Sequence, residues 1–145
     1  MQSAEQIFSD GVKALIQGDT LSALVYFEKA IQIENSPINC SYLAYCVARE
    51  RGQFQKAISL GEDAIRREPR NSIHYLNLGR VYLLADRKAE AIDIFRSGLG
   101  QEGNQMIIDE LNRLGTRKPP VIPFLKRSNT INKYLGIILK KLGLR

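Results

Sequence analysis

The chain has 145 residues, with a single histidine and two cysteines, so few side chains can do nucleophilic or metal chemistry. His74 has no serine, cysteine or aspartate at a recognised catalytic spacing, and reads as a satisfied surface or groove histidine. Cys40 and Cys46 stand six apart, which is neither a CxxC pair nor a metal spacing. Small buried hydrophobes is the expectation for them. The carboxylates are interspersed with lysines and arginines; Glu62 and Arg66, four apart, suit an exposed pair along one helix face. No glycine-rich phosphate loop and no metal-ligand cluster is found, and Gly98-Leu99-Gly100 reads as a helix end. No cofactor, no metal and no enzymatic activity are expected.

The elements behind these residues repeat. Ala23, Ala57 and Ala91 recur at one constant interval, and the segments 18–31, 52–65 and 86–99 align around them without gaps. Each segment follows another amphipathic stretch, with Gly18, Gly52 or Asp86 at the turn between the two. Glycine adopts the left-handed conformation that stops a helix, and aspartate can stand in for it. Ser36-Pro37 fits an N-cap with proline in the first turn, Asn71 or Ser72 offers the next cap, and Gly100 to Gly103 breaks the chain again. The alanines let paired helices approach closely, while Phe27, Leu43, Tyr45, Leu78, Tyr82 and Phe95 fill the space around them.

In these motifs, and in the interval between them, the sequence resembles the tetratricopeptide repeat family. The third repeat carries Tyr75-x2-Leu78-Gly79-x2-Tyr82 and then Ala91-x3-Phe95. The second has Ala44, Ala48, Gly52, Phe54, Ala57, Ala64 and Pro69, with Gly61 where phenylalanine is usual. The first has Ile7-x3-Gly11-x2-Ala14 and Ala23-x3-Phe27-x2-Ala30, its closing proline displaced to Pro37. The resemblance covers residues 4–105 and implies an all-α, right-handed α-solenoid of three helix-turn-helix repeats at 4–37, 38–71 and 72–105. A capping helix at 106–115 is expected to follow, with Ile107, Leu111 and Leu114 on one stripe.

The resemblance further implies a non-catalytic adaptor, scaffold or assembly factor whose concave groove holds a peptide or a partner helix. Its groove positions fall on Phe8, Val12, Leu15, Asn39, Tyr42, Leu43, Cys46, Arg49, Ile73, Leu76, Asn77, Arg80 and Leu83. The cochaperone branch of the family clamps a C-terminal carboxylate with Lys, Asn and Arg. The matching positions here hold Phe8, Val12, Leu43, Ile73 and Asn77, of which only Asn77 could serve. Arg49 and Arg80 could hold an acidic group on an otherwise apolar ligand. Alternatively, they pair with Glu50 or other neighbouring acids.

Charge separates this body from the end of the chain. Residues 1–105 carry 12 basic and 13 acidic side chains, whereas residues 106–145 carry 9 basic and 2 acidic. Within that basic extension, 116–145, three prolines make 116–125 extended, with Val121, Ile122, Phe124 and Leu125 as apolar contacts. Ile131, Tyr134, Leu135, Ile138, Leu139 and Leu142 then space as an amphipathic helix with Lys133, Lys140 and Lys141 on its other face. Three roles stay open: packing on its own solenoid, docking on or exchanging with a second subunit or partner, and lying on an anionic membrane or nucleic acid. The segment 121–125 is also the right kind of ligand for the groove, in its own or a neighbouring molecule. Against nucleic acid, Phe124 and Tyr134 are the few aromatic platforms among those charges. The first residues have no basic start and no apolar stretch, and no run reaches about 20 apolar residues, so a soluble cytoplasmic protein is expected.

Overall fold

The computed structural model describes residues 2–115, and among them every regular element is a helix. They form α1 (Ala4–Ile16), α2 (Thr20–Ile33), α3 (Pro37–Arg51), α4 (Phe54–Arg67), α5 (Ser72–Leu84), α6 (Lys88–Gln101) and α7 (Gln105–Arg113). Residues 1–111 make one compact unit and residues 112–145 a second. Of the second unit the end of α7 is described, where Gly115 takes φ 64° and its N–H donates to the Asn112 carbonyl at 3.0 Å. The apolar residues of the basic extension, Val121 to Leu125 and Ile131 to Leu142, lie outside the described residues.

Local chemistry explains where each helix starts and stops. Ser3, Asp19, Ser36 and Asn71 cap α1, α2, α3 and α5 with side-chain oxygens that accept from backbone N–H groups of the first turn. Pro37 occupies the first turn of α3, where its missing N–H costs nothing. The turns inside the three hairpins sit at Gly18, Gly52 and Asp86, with φ of 79°, 64° and 59°. These are the residues whose even spacing marks the turns in the sequence, so period and backbone geometry coincide. The break after α6 is shorter than expected, because the helix continues through Gly100 to Gln101.

Packing follows from size matching between paired helices. Ala23, Ala57 and Ala91 are fully buried, as are Phe27 and Phe95. Gly11 and Gly79 accept those rings: a Cβ on Gly11 would lie 2.7 Å from Phe27 Cε1, and one on Gly79 would lie 2.5 Å from Phe95 Cδ1. The middle hairpin exchanges the sizes. Tyr45 stands one repeat after Gly11, and Gly61 stands one repeat after Phe27. A Cβ on Gly61 would come within 2.9 Å of Leu78 Cδ1, so the next hairpin fills the room a phenylalanine would have taken. Gly98 likewise serves packing rather than ending a helix. A Cβ there would meet Tyr75 Cβ at 2.6 Å and Ile107 Cδ1 at 2.9 Å, which is how α5 and α7 close on α6.

Candidate functional site

The first helices of the three hairpins, α1, α3 and α5, carry the predicted groove residues. Near its start the surface is aromatic. Phe8 packs edge-on to Tyr42 with ring centroids 5.3 Å apart, and both contact the buried Phe27, which stacks on Tyr42 at 5.4 Å. Such pairs add about 0.5–1.5 kcal/mol beyond the area they bury. Burial pushes the Tyr42 phenol above its ordinary range, while the positive charge of Arg80 pulls it the other way.

The thirteen predicted groove residues divide by exposure. Asn39, Leu43, Cys46, Leu76 and Asn77 are buried. Asn77 Nδ2 donates to Ser41 Oγ at 2.9 Å, tying α5 to α3. Asn39 Nδ2 donates to the Glu34 carbonyl at 2.9 Å, and its Oδ1 is buried without a hydrogen-bond donor among the described residues. These side chains hold the repeats together and set the floor. Phe8, Val12, Leu15, Tyr42, Ile73, Arg80 and Leu83 are half-buried, and Arg49 is exposed. The half-buried set, with Arg49, is the part of these positions open to solvent.

The two arginines differ. Arg49 forms no ion pair among the described residues, whereas Arg80 pairs with Glu110 of α7 at 3.6 Å. Glu110, beyond the repeat boundary at 105, is not among the predicted groove residues. It stands one repeat after Leu76, which follows Tyr42 and Phe8 by the same step. Carrying the period one step further would have found it, and it puts α7 in the place of the first helix of a fourth repeat. Its side chain is 4% exposed.

The remaining chemically versatile residues are structural. His74 is neither a surface nor a groove residue: it is fully buried, and its Nε2 lies 2.7 Å from Glu68 Oε1. A carboxylate only accepts, so Nε2 donates. Cys40 and Cys46 are buried free thiols. Burial pushes the Cys46 thiol up to about 12, with the Glu50 charge adding to the effect. Burial also raises the Cys40 thiol, with the Asp63 charge adding to it and nearby Arg67 opposing. Arg66 pairs with Asp63, three residues away, rather than with Glu62. Between the hairpins, Glu68, Pro69, Arg70, Asn71 and Glu102 line an open cavity of about 650 Å³.

Helical hairpins repeated at a constant interval, each closed by glycine–phenylalanine or alanine contacts between its two helices, define a helical-repeat solenoid. The tetratricopeptide repeat family model matches residues 42–105. Among curated proteins the chain is similar to the Small glutamine-rich tetratricopeptide repeat-containing protein 2 of Mycosarcoma maydis, with 29% identity over 100 residues. That match covers 68% of this chain and 28% of the relative's length. Among solved structures, the Sgt2 TPR domain from Aspergillus fumigatus superposes with a TM-score of 0.59 and 21% identity, covering 90% of this chain and 93% of that one. The Arabidopsis OM64 TPR domain gives 0.63 and 23%, covering 78% and 94%. The first TPR of Spaghetti (RPAP3), solved bound to the HSP90 peptide SRMEEVD, gives 0.62 and 21%, covering 79% and 94%. No helix among the described residues is long and apolar enough to cross a membrane.

Proposed function

We propose that this chain is a non-catalytic, cytoplasmic adaptor that holds an extended peptide or a partner helix against the first helices of its hairpins. The observation that carries the reading is the half-buried set Phe8, Val12, Leu15, Tyr42, Ile73 and Leu83, spread over α1, α3 and α5 above the buried Asn39, Cys46, Leu76 and Asn77. A surface of this kind suits recognition of apolar side chains at successive positions along a ligand. The RPAP3 neighbour, solved with a peptide bound, favours a peptide over other ligand classes. Twelve-residue peptides selected from a phage-displayed random library, measured by fluorescence polarisation, test the proposal. Val12→Glu, Ile73→Glu and Leu83→Glu are expected to weaken a selected peptide at least tenfold. Val25→Glu, on an exposed position of α2, is expected to change it less than twofold. Equal effects at all four positions, or an effect confined to Val25, would refute the proposal.

A further inference from the structure

The Arg80–Glu110 pair bears on which ligands the groove accepts. Along the series Phe8, Tyr42, Leu76 and Glu110, set one repeat apart, three members are apolar and the last is an acid. That acid is almost wholly buried and faces Arg80 at 3.6 Å. The positive charge of Arg80 also acts on the Tyr42 phenol, one helix away. Resting on the groove reading above, we propose that Glu110 is a built-in competitor for Arg80 that selects against acidic ligands, so that the partner is an apolar segment without carboxylates over α5 and α7.

The physics is that of two anions competing for one cation in a poorly solvated place. A ligand carboxylate approaching Arg80 has to displace Glu110, which then lies buried without that cation, or else sit beside it. Like charges close together in a low-dielectric site repel strongly, and each option costs the acidic ligand affinity. Apolar side chains meet neither cost and still gain from Tyr42, Ile73 and Leu83. Arg49, exposed and on the preceding repeat, leaves room for an acid elsewhere on the ligand.

The same random library, panned against the full chain, reads this preference directly as acidic residues per selected peptide. The wild type is expected to select peptides with fewer Asp and Glu than the unselected library. Glu110→Gln, which keeps the shape and removes the charge, is expected to raise that number at least threefold, and Arg80→Ala added to it is expected to cancel the rise. Wild-type selection of acid-rich peptides would overturn the proposal without any variant. So would an unchanged acid content in Glu110→Gln that still enriches peptides. Failure of every form to enrich any peptide would overturn the groove reading together with this one.

Discussion

Replacing Gly79 by alanine sets two opposed effects against each other inside α5. Alanine is favoured over glycine in a helix interior by about 1 kcal/mol, because glycine loses more backbone freedom on folding. The added methyl, however, would sit 2.5 Å from Phe95 Cδ1 and 2.6 Å from Cζ, with Cε1 closer still. Carbon atoms prefer about 3.5–4.0 Å. Phe95 is fully buried, so its ring has no solvent to swing into. Overpacking of this kind costs about 1–3 kcal/mol and sometimes more. With the overpacking at the upper end of that range, the expected net loss is about 2 kcal/mol, which lowers the melting temperature by about 8 °C. Gly100→Ala is the control, since it lies in the last turn of α6 with nothing within 4 Å of the new methyl, and it should gain about 0.5 kcal/mol. Urea unfolding followed by circular dichroism at 222 nm reads both. Phe95→Leu should also cost less in the Gly79→Ala background than alone, because the smaller side chain relieves the clash. If Gly79→Ala is as stable as wild type, or more so, the size matching between α5 and α6 is not what holds that hairpin.

Three further outcomes follow from the same packing and electrostatics. Phe27→Ala removes a fully buried ring that joins Phe8 to Tyr42 and should cost about 3–5 kcal/mol, visible as a lower urea midpoint. Asp19, Glu90 and Glu102 are held below the usual carboxylate range, chiefly by the Ser22 hydroxyl, the Arg87 guanidinium and the Ser72 hydroxyl respectively. Their folded forms shed protons more readily than their unfolded ones, so their contribution is complete above about pH 5 and is lost as pH falls through about 4 and below. Urea midpoints from pH 7 to pH 3 should fall in that window, and Ser72→Ala should flatten the drop; a midpoint that rises toward pH 3 would contradict the assignment. The Cys46 thiol, raised to about 12 and buried, should resist an aromatic disulfide reagent at pH 8 in the native protein and react once the chain is unfolded. Rapid native labelling of Cys46 would show that the floor of the groove is open.

Much of the fold could be read from spacing, because each repeat uses the same few residues for the same physical task. Gly18, Gly52 and Asp86 announce their turns through backbone chemistry alone, and Ser36-Pro37 announces the start of α3 through capping alone. These signals are local and survive without knowledge of neighbours. What the sequence hides depends on contacts between distant segments. His74 looks like a surface residue until Glu68 and its burial are seen. Gly98 looks like a terminator until Tyr75 and Ile107 are found against it. Family positions place Asn39, Cys46, Leu76 and Asn77 along the groove, yet neighbouring structure buries them, leaving the half-buried residues and Arg49 as the solvent-accessible ones. Glu110 is obscured for a different reason: α7 lacks the small residues of a full repeat, so nothing local to it signals that the period continues.

The central claim is that a ligand lies against α1, α3 and α5 and not against the outer helices. Site-specific photocrosslinking tests it most directly, with benzoylphenylalanine placed singly at Tyr42, at Leu83 and at Val25 and a library-selected peptide added. Crosslinked peptide at Tyr42 and Leu83, with none at Val25, is the predicted result. Crosslinking at Val25 with none at the other two would place the binding surface on α2 and contradict the account.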